Sequence, residues 1–149
     1  MRSPNRPPCF GAAALLLLPC LLPASEPTPA GHWIAVDDHS GKPRGIVRIY
    51  QQNGQFFGAI EAAFNPREAK ERCEKCSGER KDQPVLGLLI MRGIRKNGDE
   101  YSGGDILDPD TGSVYRCKMR LSADGGQLTV RGYIGIPLLG RTQMWIREP

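Results

Sequence analysis

The chain has 149 residues, 40% hydrophobic and 24% charged, with 20 Lys and Arg against 16 Asp and Glu for a net charge of +4. That length bounds it to one domain with a modest core, and so small a positive charge carries no nucleic-acid signature. Internal repeats, low-complexity tracts and long amphipathic helices are absent from the sequence pattern after residue 30.

Residues 1–30 read as a secretion signal. Arg2 and Arg6 give a basic start, Phe10 to Leu22 is an apolar run, and Pro23 to Ala30 is small and Pro-rich, with cleavage expected at Thr28-Pro29-Ala30. The apolar run is too short to span a bilayer. Lipid attachment at Cys20 is disfavoured by Pro19, which stands where a small residue is needed. Removing 30 residues from 149 leaves 119, and losing Arg2, Arg6 and Glu26 lowers the net charge from +4 to +3. The expected product is an exported, periplasmic or secreted domain over residues 31–149.

From Gly31 the chain alternates in short strands separated by Gly, Asn, Asp and Pro turn signals. His32 to Val36 opens it. Gly45 to Tyr50 follows, and Asn53-Gly54 makes a tight hairpin into Gln55 to Ala63. A longer excursion, Phe64 to Pro84, carries a helix-like stretch from Pro66 to Arg72 and then Cys73 and Cys76. Val85 to Arg95 is the most apolar strand; Lys96 to Asp99 turns it into Glu100 to Leu107, and Asp108 to Gly112 turns the chain again. The clearest period comes next. Tyr115, Cys117, Met119 and Leu121 share one face, while Arg116, Lys118 and Arg120 share the other. Leu128, Val130 and Gly132 alternate with Thr129, Arg131 and Tyr133, and the loop Gly135 to Gly140 leads into Arg141 to Arg147.

About eight short antiparallel strands leave two exposed edges if open and none if closed, so the expected fold is an all-β, up-and-down barrel with one short helical excursion. Eight strands enclose an interior that side chains just fill or that holds one small ligand. Gly87, Gly93, Gly103, Gly104 and Gly132 are candidates for thinning the wall or leaving room inside. Trp33 and Trp145 would meet across the seam, as plugs of one barrel end or as ligand-stacking rings.

The Cys-x-x-Cys pair has three readings. It is a local disulfide between Cys73 and Cys76; a zinc site completed by Cys117 with His32 or His39; or a redox pair, which its place after the helix-like stretch disfavours. Cys117 reads as a small buried hydrophobe. No catalytic constellation appears. Both histidines lie within the first nine residues after the expected cleavage, no Gly-x-Ser-x-Gly elbow exists, and Asp108-Pro109-Asp110-Thr111-Gly112 has the composition of a reverse turn. No metal or cofactor is expected.

Two candidate features remain. Arg131, Tyr133, Arg141, Thr142 and Gln143 gather around the last hairpin, where Arg would hold a carboxylate or phosphate, or else clamp barrel-end carbonyls. Ile134, Ile136, Pro137, Leu138 and Leu139 form an apolar loop that would serve as lid, docking patch or cap. The candidate ligand-binding set is therefore Trp33, Arg131, Tyr133, Arg141, Gln143 and Trp145, for a small apolar or amphipathic envelope molecule. The alternative is a structural or interaction protein of the envelope with a packed interior and a protein partner.

Gly31-x-Trp33, Pro84-Val85-Leu86-Gly87, Arg131-Gly132-Tyr133-Ile134-Gly135 and Leu139-Gly140-Arg141-Thr142-Gln143-x-Trp145 together resemble the bacterial domain-of-unknown-function family 2147. The Cys-x-x-Cys with Gly78-Glu79-Arg80-Lys81 is similar to one branch of it. The resemblance implies a small exported protein with a lipocalin-like barrel, and it supplies no substrate or catalytic residue.

Overall fold

In a computed structural model, which describes residues 24–149, the chain forms a closed antiparallel barrel in which every strand pairs with its sequence neighbours and the last returns to the first. The basic start and apolar run of the expected leader lie outside the described residues. The strands are β1 (Gly31–Val36), β2 (Pro43–Gln52), β3 (Gln55–Ala63), β4 (Leu89–Asn97), β5 (Glu100–Leu107), β6 (Val114–Leu121), β7 (Gln127–Tyr133) and β8 (Gly140–Arg147). Closure joins Trp33 to Arg147 and Ile34 to Ile146 in register. No helix among the described residues is long and apolar enough to cross a membrane.

Alternation explains the wall. Cys117 and Met119 are buried on β6, while Lys118 and Arg120 on its other face both pair with Glu100. On β8 the ladder to β7 and the burial of Trp145 turn Gln143 and Trp145 inward and leave Thr142, Met144 and Ile146 outside. The β4–β5 ladder is regular at Arg92↔Asp105 and Arg95↔Ser102 and unpaired between them. There Gly93 and Gly103 adopt φ of 68° and 87°, a conformation that side chains disfavour, so these two glycines bend the wall rather than open its interior.

Two sequence expectations are corrected. The stretch from Pro66 to Arg72 is no helix beyond a single 3-10 turn at Glu68–Lys70, because Glu71 is already extended and Arg72 bridges Pro84 across the excursion. The fourth strand begins at Leu89 instead of Val85, since Gly87 N–H donates to Ile60 O and ties the preceding residues into the chain reversal. Cys73 and Cys76 form a disulfide, with Cα atoms 5.3 Å apart, so neither is available as a zinc thiolate. Cys117 is free and fully buried.

The two barrel ends differ. At one, residues 26–30 run beneath the strands. The Trp33 indole N–H donates to Pro29 O at 2.8 Å, and Pro29 and Trp33 are both fully buried. Arg147 lies over the Trp33 ring, 4.3 Å from its centroid, and its guanidinium donates to Gly125 O, Ala30 O and Thr28 O at 2.7, 2.9 and 2.7 Å. Phe56 and Tyr101 pack edge to face, 5.3 Å between centroids, in the same core cluster. The other end carries the β1–β2, β3–β4, β5–β6 and β7–β8 connections and is open.

Candidate functional site

A cavity of about 440 Å³ occupies the open half of the barrel. Inward positions on six strands build its wall: Val47, Ile60, Ile90, Ile106, Val130 and Trp145. Gly132 lies on the same wall, the one of the five anticipated glycines that lines it. An apolar cavity of this volume falls within the range of small-molecule sites, roughly 300–1,000 Å³.

Polar groups in the wall are few. The Trp145 indole N–H donates to Gln143 Oε1 at 3.0 Å, which fixes that amide and leaves its NH₂ group with no partner among the described residues. Tyr115 also lines the cavity. A ligand here would meet mostly hydrocarbon, with an amide donor and a phenol as polar fixtures.

The rim is charged and internally paired. Arg44, at the start of β2, donates to Asp110 Oδ2 at 2.8 Å and to Glu68 Oε2 at 3.2 Å, so one guanidinium ties the β5–β6 turn to the excursion. These carboxylates raise the Arg44 pKa above its ordinary value. Lys75 Nζ donates to Asp110 O at 3.0 Å, a second tie between excursion and turn. Arg141 grips Asp38 with both arms, Nε to Oδ2 at 3.0 Å and Nη2 to Oδ1 at 2.7 Å, and those bonds hold the Asp38 pKa down at about 2.

The anticipated residues separate by position. Arg141, Gln143 and Trp145 line the cavity. Trp33 belongs to the closed end, in register with Arg147 rather than Trp145. Arg131 lies outside the cavity and clamps the last hairpin, donating to Pro137 O at 2.6 Å and Leu138 O at 3.2 Å. Tyr133, in register with Arg116 and Gly140, also lies outside it. The sequence reasoning missed Arg44, Glu68 and the inward residues Ile60, Ile90 and Ile106; alternation with Phe56 and Gly58 within β3 would have found Ile60, whereas register shifts on β4 and β5 break the alternation that would have pointed to Ile90 and Ile106.

Of the loop held by Arg131, Ile134 and Leu139 border the cavity, and all four of Ile134, Ile136, Leu138 and Leu139 are exposed, making an apolar lip on one side of the mouth. Asp37, Asp38 and His39 bring ligand atoms within 4.8 Å of one another, a spacing a metal ion could use. Their carboxylates are occupied, Asp37 by the Ser40 turn and Asp38 by Arg141. His32 pairs with Glu61 at 3.0 Å, far in sequence from the cysteines it was to join.

Among solved structures, the fold is similar to protein HP1028 from the human pathogen Helicobacter pylori, described as belonging to the lipocalin family. The TM-score is 0.70 at 16% identity, covering 80% of this chain and 82% of that one. At that identity the likeness establishes the lipocalin-like fold alone. No curated protein matches the sequence. The family model described as "Uncharacterized protein conserved in bacteria (DUF2147)" matches residues 31–147, the whole barrel from the first strand to the last, and the chain belongs to that family.

Proposed function

We propose that this protein is an exported, non-catalytic carrier that holds one small apolar or amphipathic molecule of the cell envelope in its barrel. The observation that carries this reading is the 440 Å³ cavity, apolar in its walls and open at one end only. An eight-stranded barrel packed solid would have no such space, and eight strands are the number that admits a single small guest. Export is supported by the leader-like sequence before the barrel and by the Cys73–Cys76 disulfide, a bond that persists in oxidising compartments. Gln143 and Tyr115 within the wall, with paired charges at the rim, suit a guest with an apolar body and a polar end.

Titration with the neutral dye N-phenyl-1-naphthylamine tests the reading. Trp145 lines the cavity and Trp33 does not, so in a Trp33→Phe protein the remaining indole reports occupancy by energy transfer to the dye. One saturable site is expected, and Ile60→Trp, which fills the cavity from β3 with an apolar ring and is read by the dye's own emission, should weaken it at least tenfold. Absence of saturable binding in the unmodified protein, or unchanged binding in Ile60→Trp, would refute the carrier role.

A further inference from the structure

The residues just before β1 are part of the folded barrel, and their contacts bear on where the leader ends. We propose that the leader is removed after Ala24, and that residues 25–30 stay in the mature protein as the seal of the closed barrel end. This rests on the export reading but not on the ligand reading.

The segment crosses the barrel floor. Glu26 pairs with Lys96 on β4 at 3.2 Å, on the side of the barrel opposite the β1–β8 seam. Pro27 lies against Gly125 in the β6–β7 turn, its Cβ 3.0 Å from where a side-chain carbon on that glycine would sit. Thr28 O and Ala30 O accept from the two Nη atoms of Arg147, and Pro29 O accepts from the buried Trp33 indole. The seal therefore touches β1, β4, β8 and the β6–β7 turn within five residues.

Cleavage after Ala30, which the small residues Thr28-Pro29-Ala30 suggest in sequence, would undo this. Trp33 Nε1, in a fully buried side chain, would lose its acceptor, and Arg147 would keep one of three carbonyls. The new α-ammonium would form at Gly31, whose Cα faces Arg147 Nη1, setting two positive charges together where two carbonyls had been. The small residue left upstream of the seal is Ala24, exposed and two positions beyond the apolar run that ends at Leu22. A cut there puts a small residue directly before the scissile bond, with Leu22 in place of the second small residue, and spares every contact described.

The full chain, expressed with its own leader in a Gram-negative host and released from the periplasm by osmotic shock, should give an intact mass and N-terminal sequence beginning at Ser25. A start at Glu26 would overturn the cut after Ala24 while keeping every contact of the seal, and any start beyond Glu26 would overturn both. A chain kept in the cytoplasm with its leader uncut would overturn export and the cleavage together. A second measurement reads the seal without export. Chains begun at Ser25 and at Gly31 should differ in urea midpoint by roughly 1 M or more, or the shorter should fail to fold; equal midpoints would overturn the proposal.

Discussion

Arg147→Lys tests whether the closed end is held by the forked geometry of a guanidinium or merely by positive charge. Arg147 makes three hydrogen bonds to backbone carbonyls in two separate segments and covers the Trp33 ring. A lysine ammonium on its flexible stem reaches one such carbonyl at a time. Two charge-assisted bonds are then lost. The one to Ala30 is partly buried, worth about 1.5 kcal/mol, and the one to Thr28 is exposed, worth about 0.5 kcal/mol after solvent screening. Weaker stacking on Trp33 adds about 0.5 kcal/mol. The expected loss is about 2–3 kcal/mol, a large share of a typical folding free energy of about 5–15 kcal/mol. Urea unfolding followed by tryptophan emission should show the midpoint falling by roughly 1–2 M with an unchanged slope. Arg147→Met, which removes all three bonds, should fall further. A lysine variant within about 0.3 M of the unmodified protein, a difference near 0.5 kcal/mol, would refute the fork and leave charge alone as the explanation.

Gly104→Ala should cost about 1–3 kcal/mol in the same assay, because a Cβ there would overlap the Arg92 carbonyl oxygen and sit 2.7 Å from Ile94 N; a neutral effect would mean that the β4–β5 wall yields freely. Burial pushes the Cys117 thiol up to about 12 from an ordinary 9.0, so at pH 8 its thiolate fraction falls by roughly a thousandfold. A chain begun at Ser25 should thus show no reaction with Ellman's reagent until urea unfolds it, and one thiol thereafter. Because that pKa is raised on folding, the stability linked to it is whole below about pH 9 and is lost as pH climbs toward 12, a loss that Cys117→Ala should abolish in alkaline titrations. Asp38 is the opposite case. Its pKa is lowered to about 2 chiefly by the hydrogen bonds from Arg141, so its contribution is present above pH 4 and lost as pH falls through 2. Asp38→Asn should flatten the acid limb of a stability–pH curve in that window, and an unchanged limb would assign acid sensitivity elsewhere.

How much of this was legible in the sequence depends on whether the informative partner was a side chain or a backbone atom. The β6 period, with Cys117 and Met119 against Lys118 and Arg120, needed only alternation, and the hairpin at Asn53-Gly54 needed only two residues suited to positive φ, which they adopt at 51° and 73°. Closure followed from strand number. The start of β4 did not, because an apolar run such as Val85 to Ile90 is common to a buried strand and a buried chain reversal, and hydrogen bonds between Ile60 and the Gly87–Leu88 turn decided between them. The inward face of β8 was equally hidden: Arg141, Gln143 and Trp145 alternate with Thr142, Met144 and Ile146, and each set mixes polar with apolar residues. Of the six site residues named in advance, three, Arg141, Gln143 and Trp145, line the cavity. Arg147 escaped notice since its partners are carbonyls of Thr28, Ala30 and Gly125, positions at which any residue type offers the same oxygen.

That distinction also separates the two barrel ends energetically. The floor is tied by arginine and indole donors to main-chain carbonyls, at least one of them around a fully buried ring. Breaking such contacts strands polar atoms away from water, at about 1–3 kcal/mol for each group left unpaired. The rim is tied in part by side-chain ion pairs, Arg44 with Asp110 and Glu68 and Arg141 with Asp38, in which every guanidinium is more than a third exposed, beside the Lys75 ammonium on Asp110 O. Exposed pairs of this kind are worth about 0–1 kcal/mol and are screened further by salt. The charged ties between the excursion and the β5–β6 turn are therefore weaker than the buried bonds of the floor. Added salt weakens the ion pairs of the mouth, where the cavity lies, before it touches the floor's bonds to carbonyls.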